Sequence, residues 1–237
     1  MSYDLVRKTL TPPTTLAKLC LYVNDSNHLD PKAVTNAELW KILVTFQHSL
    51  QHLNVYRDFL ASGLHNEGNQ HMGLLSGFER LESLSIQPEA LIGGCCGAER
   101  APFQLKGTLP PSLRSLTLYN PEEANGVYVA LPSQLIQVVD DKRYAFLRSI
   151  TLEDDLKSWW DSESIGHAEK LKQACKEAKI ELRIYQGDTS HDERIACFPN
   201  MPGLERAIFY HEESDFSQYR MDGKLRQIID LGYRSSE

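Results

Sequence analysis

The chain has 237 residues, 41% of them hydrophobic and 24% charged, with a formal net charge of −7. That length is ample for a continuous apolar core, and the acidic balance argues against a nucleic-acid or anionic-membrane partner. No stretch approaches the ~20 consecutive apolar residues of a membrane helix, and the first residues, MSYDLVRKTL, lack a signal-peptide core. The five cysteines, Cys20, Cys95, Cys96, Cys175 and Cys197, have no paired CxxC spacing. They suit buried thiols in a reducing compartment, so a cytoplasmic or nuclear protein is expected.

Residues 1–15 read as an N-terminal cap. From Leu16 the pattern Leu-x-x-Leu-x-apolar-x begins, as LAKLCLY (Leu16 to Tyr22), and it returns as LQHLNVY (Leu50 to Tyr56). Later copies are LESLSIQ (Leu81 to Gln87), LRSLTLY (Leu113 to Tyr119) and LRSITLE (Leu147 to Glu153). A weaker copy, KIELRIY, runs from Lys179 to Tyr185, and LERAIFY, from Leu204 to Tyr210, ends the series. The fourth positions are Leu19, Leu53, Leu84, Leu116, Ile150, Leu182 and Ala207, at intervals of 34, 31, 32, 34, 32 and 25 residues. One such heptapeptide means little; seven near a constant spacing are a repeat signature.

Alternation over the last positions of each copy reads as a short strand with one apolar face. A lone strand cannot bury that face, so the copies are expected to stack into a parallel sheet over a shared core. The intervals leave roughly 25 residues for each crossover. Thr35 to Leu50 predicts a helix, with Leu39, Ile42, Leu43, Phe46 and Leu50 at helical spacing and a capping box from Thr35 to Glu38. Ser164 to Lys179 predicts another, with Ile165, Ala168, Leu171, Ala174, Cys175 and Ala178 on one stripe. Gly93 to Pro111 is rich in Gly and Pro and predicts an irregular crossover. Residues 211–237 read as a C-terminal cap, with Leu225, Ile228, Ile229 and Leu231 closing the core. The expected architecture is α/β and a single domain, residues 1–237: a curved parallel sheet on the concave side, helices and loops outside, about seven repeats over 16–210.

These copies resemble leucine-rich repeats. LPPSLRSLTLY (Leu109 to Tyr119) is most similar to the repeat domains of fungal F-box-like proteins. The resemblance implies a substrate-selecting role beside a ubiquitin-ligase adaptor. The 15 residues before the first copy are too few for an F-box helical unit. The ninth repeat position, an Asn in the usual pattern, holds Asn24, Asp58, Glu89, Pro121, Asp155, Gly187 and Glu212, which predicts irregular turns.

Positions one, four and six point inward, so three, five and seven are expected on the concave surface. Position seven holds Tyr22, Tyr56, Gln87, Tyr119, Glu153, Tyr185 and Tyr210, followed by acids such as Asp58, Asp155 and Asp188. At ~4.8 Å per strand this predicts a tyrosine ladder with a negative rim about 30 Å long. Tyrosine suits binding hot spots, and the rim would steer a basic segment of a protein partner. Alanine at Tyr119 or Tyr185 is then expected to weaken binding and leave folding nearly intact. Stacking along the sheet is the structural alternative. Positions three and five are small and hydroxylated at the centre of the array (Ser83, Ser115, Ser149; Ser85, Thr117, Thr151).

Motifs that suggest chemistry are better read as structure. His48 and His52 have the spacing of a zinc pair on a helix, but they straddle a helix end with no third ligand evident. Gly93-Gly94-Cys95-Cys96-Gly97 lacks the Lys-Ser/Thr ending of a phosphate loop. Glu153-Asp154-Asp155 reads as a solvated turn, and Trp159-Trp160 as one buried and one half-exposed ring. The expectation is a monomeric protein-binding module without enzymatic activity, cofactor or metal. The alternatives are a small-molecule or peptide receptor using the hydroxylated centre, and a β-solenoid enzyme acting on polysaccharide.

Overall fold

The computed structural model describes residues 16–24, 35–58, 71–93, 102–119, 131–153, 165–185 and 207–210. The strands are β1 (Lys18–Asn24), β2 (His52–Asp58), β3 (Ser83–Ile86), β4 (Ser115–Tyr119), β5 (Ser149–Glu153), β6 (Glu181–Tyr185) and β7 (Ala207–Tyr210). The helices among the described residues are α1 (Asn36–Leu43), α2 (Pro88–Ile92), α3 (Leu105–Thr108), α4 (Leu131–Asp140) and α5 (Ile165–Ala178). The fold is α/β. All strand pairs are parallel, in the order β6-β5-β4-β3-β2-β1-β7.

Six of the seven copies pair in the register their sequence sets. Leu19, Leu53, Leu84, Leu116, Ile150 and Leu182 stand level across β1 to β6. A period of two makes that register consequential, because a slip of one residue turns every side chain to the other face. Held as it is, the first-position leucines (Leu16, Leu50, Leu81, Leu113, Leu147) and the fourth and sixth positions join one apolar cluster. Burying a Leu or Ile in that cluster stabilises the fold by about 1.5–3 kcal/mol per side chain. At β6 the cluster thins, and Leu182 and Ile184 are only half-buried.

The stacking also has a backbone component that is indifferent to side chains. In the first four copies the second-position carbonyl accepts two amides from the next copy: Ala17 from Gln51 (2.7 Å) and His52 (3.0 Å), Gln51 from Glu82 (2.8 Å) and Ser83 (3.0 Å). Glu82 accepts likewise from Arg114 (2.7 Å) and Ser115 (3.0 Å), and Arg114 from Arg148 (2.8 Å) and Ser149 (3.2 Å). Each carbonyl uses both lone pairs, which explains why Ala, Gln, Glu and Arg all serve at that position. Hydroxyls just ahead of the strands add to it. Ser49 Oγ accepts from the Leu16 amide (3.1 Å) and donates to the Leu16 carbonyl (3.0 Å), and Ser112 Oγ donates to the Leu81 carbonyl (2.9 Å).

The crossovers pack on the core. In α1 both halves of the capping box form: the Thr35 hydroxyl accepts from the Glu38 amide (3.1 Å), and Glu38 Oε2 accepts from the Thr35 amide (2.9 Å). The helix runs on into a 3₁₀ turn, Val44–Phe46, and all five apolar residues expected to face the core, Leu39, Ile42, Leu43, Phe46 and Leu50, are buried. In α5, Leu171 and Cys175 are buried and Ala174 packs beside them, but Ala178 is exposed at the helix end. Lys179 closes α5 at φ 58°, a left-handed position usually given to glycine. Of the stretch 93–111, expected to be irregular, the described residues 102–111 include one turn of helix, α3. Its first amide, Leu105 N, donates to Gln134 Oε1 of α4 at 2.8 Å.

No expectation covered α4, in which Leu131, Leu135, Val138 and Val139 stand at helical spacing and are all buried. Pro132 obscured the pattern, although proline is tolerated in the first turn, where its missing N–H costs nothing. The seventh copy does not continue the series beyond β6. Instead β7 pairs with the outer edge of β1, with Cys20 opposite Ala207, Leu21 opposite Ile208, Tyr22 opposite Phe209 and Val23 opposite Tyr210. Ala207 is thus level with fifth positions instead of fourth. The slip puts Ile208, not Ala207, level with the core residue Leu21. The caps expected over 1–15 and 211–237 lie outside the described residues.

Candidate functional site

Side chains alternate across a strand, so positions three, five and seven share the sheet face opposite the core. Along β1 to β6 position three reads Lys18, His52, Ser83, Ser115, Ser149 and Glu181, each level with the next. The first five are half-buried, while Glu181 and, at position five, Arg183 are exposed. The Ser149 hydroxyl donates to Ser115 Oγ at 3.1 Å, so neighbouring strands are linked within this row. Arg183 closes a two-pronged bond on Glu181, Nε to Oε1 at 2.8 Å and Nη2 to Oε2 at 2.7 Å. That fork holds the Glu181 carboxyl below its usual range, outweighing the opposite effect of desolvation.

Several described side chains at positions five and seven that were expected to be exposed are instead buried. Tyr56 is 5% and Tyr119 9% exposed, and Asn54, Ser85, Gln87, Thr151 and Cys20 are buried as well. The two tyrosines, on β2 and β4, meet across β3 edge to face, with ring centroids 5.3 Å apart, near the favoured geometry for aromatic pairs. The Tyr119 hydroxyl donates to Asn54 Oδ1 at 2.9 Å within the same buried layer. Tyr119 thus leans over one strand to reach a residue 65 positions earlier. Its hydroxyl finds the partner that a buried phenol needs, and the pair contributes to packing as a ladder would. Tyr56 and Tyr119 are therefore not an open tyrosine strip.

The other candidate positions are placed by the backbone. Asp58, Glu153 and Tyr185 end β2, β5 and β6, and parallel pairing brings all three to the same end of the sheet. Tyr22 is level with Tyr56 in β1, whereas Tyr210, offset by the slip of β7, stands opposite Val23. Asp155 and Asp188, with Asp154, Trp159, Trp160, Gly94, Cys95, Cys96, Gly97 and Cys197, lie outside the described residues.

The histidine pair does not share a helix. His48 sits in the turn after Phe46, with Nδ1 3.4 Å from Glu79 Oε2 and both side chains largely exposed, while His52 opens β2. Among the described residues no group of three or more His, Cys, Asp or Glu is placed to hold a metal ion. Cys20 and Cys175 are free and buried. Burial pushes the Cys175 thiol up to about 11 and Cys20 higher still, so neither offers a thiolate at neutral pH.

One cluster went unnoticed in the sequence. The His71 imidazole stacks on Phe103 with centroids 3.7 Å apart, and its Nε2 is buried without a hydrogen-bond partner among the described residues. Desolvation lowers its pKa, partly opposed by a hydrogen bond to the Leu91 backbone. Its neighbour Gly93 ends α2 at φ 66°, where an added Cβ would meet Phe103 at 3.1 Å. A lone histidine between strands carries no motif, so sequence offered no signal here. No family model matches the chain, and neither does any curated protein or solved structure.

Proposed function

We propose that the chain is a leucine-rich-repeat solenoid that binds a partner protein through the sheet face opposite its core. The observation that carries this reading is the shared register of six copies. It commits the apolar positions to one side and leaves rows of polar side chains, one per strand, on the other. Such rows form an extended, shallow surface suited to a macromolecule. With Tyr56 and Tyr119 buried, the contact row is position three, from Lys18 through Ser83, Ser115 and Ser149 to Glu181, with Arg183 beside it. Asp58 and Glu153, at the strand ends, begin the acidic rim that would attract a basic segment. Substrate selection beside a ubiquitin-ligase adaptor is the role that the resemblance to F-box-like repeat domains implies.

Capture from the source cell followed by mass spectrometry tests this, with wild type compared against Ser115→Arg and Arg183→Glu proteins of matched thermal stability. Partners recovered by wild type and lost by both variants support the face, and an adaptor or cullin subunit among them supports the ligase role. Recovery that ignores both substitutions places binding elsewhere. Turnover of a sugar polymer by the pure protein would overturn the non-enzymatic reading.

A further inference from the structure

We draw no further inference here: the strongest candidate, the apolar surface patch that Val44 and Leu74 form beside Trp40 on the helical side of the sheet, is exposed, and nothing in the structure shows what covers it.

Discussion

Replacing Tyr119 by phenylalanine removes one oxygen atom and tests whether the buried layer on the polar face stabilises the fold. The ring and its edge-to-face contact with Tyr56 remain, and the 2.9 Å bond to Asn54 Oδ1 is lost. Asn54 is 4% exposed, and stranding a buried carbonyl oxygen costs about 1–3 kcal/mol. Across a chain of this size each kcal/mol lowers Tm by about 2–4 °C. Tyr119→Ala removes the ring too and should cost about 3–5 kcal/mol, as aromatic-to-alanine core substitutions do. Urea unfolding of wild type, Tyr119→Phe, Asn54→Ala and the double variant gives the coupling energy directly. A coupling near zero, with Tyr119→Phe as stable as wild type, would refute the bond and reopen Tyr119 as a free contact residue.

Four further outcomes follow from local geometry. An alanine at Gly73 would place its Cβ 2.4 Å from the Trp40 ring at φ 128°; Gly73→Ala should lower stability by more than about 1 kcal/mol. Gly107→Ala, in α3 with nothing near the added carbon, should raise it by roughly 0.5–1 kcal/mol; chemical denaturation compares the two. Thr35→Ala removes the α1 cap and should cost about 0.5–2 kcal/mol, read as an earlier thermal transition. His71 is held neutral in the fold, so the unfolded chain takes up its proton first as pH falls. Its contribution is therefore complete above pH 6.5 and declines below it, towards the lowered folded-state pKa. His71→Phe should flatten the stability–pH curve in that window, and an unchanged slope would mean that His71 titrates normally.

How much of this was legible in the sequence depends on the range of the interaction. Strand register was legible because Leu19, Leu53, Leu84, Leu116 and their counterparts repeat a period-two pattern at nearly constant spacing. The α1 cap was legible because Thr35 and Glu38 satisfy each other within one turn. Alternation also assigned Tyr56 and Tyr119 to the face opposite the core. It could not say that these two rings are themselves buried, because the Tyr119–Asn54 bond joins residues 65 apart and skips a strand. The place of β7 was hidden for a similar reason. The Leu204 to Tyr210 copy has Ala207 where a core leucine is wanted, and a one-residue slip against β1 outweighs the order of the series. Gly73 gave no signal because its need for a missing side chain arises only once Trp40 lies over it.

The repeat register itself is tested most directly by moving one charge a single residue. Leu116 is fully buried between Leu84 and Ile150, and Ser115, one position earlier, is half-buried on the other face between Ser83 and Ser149. Thermal unfolding followed by circular dichroism should show Leu116→Asp without a cooperative transition, because an unpaired carboxylate in the core costs more than a marginal fold can bear. Ser115→Asp should unfold cooperatively, within about 1–2 kcal/mol of wild type. A folded Leu116→Asp protein, or a Ser115→Asp protein that loses its transition, would contradict the register.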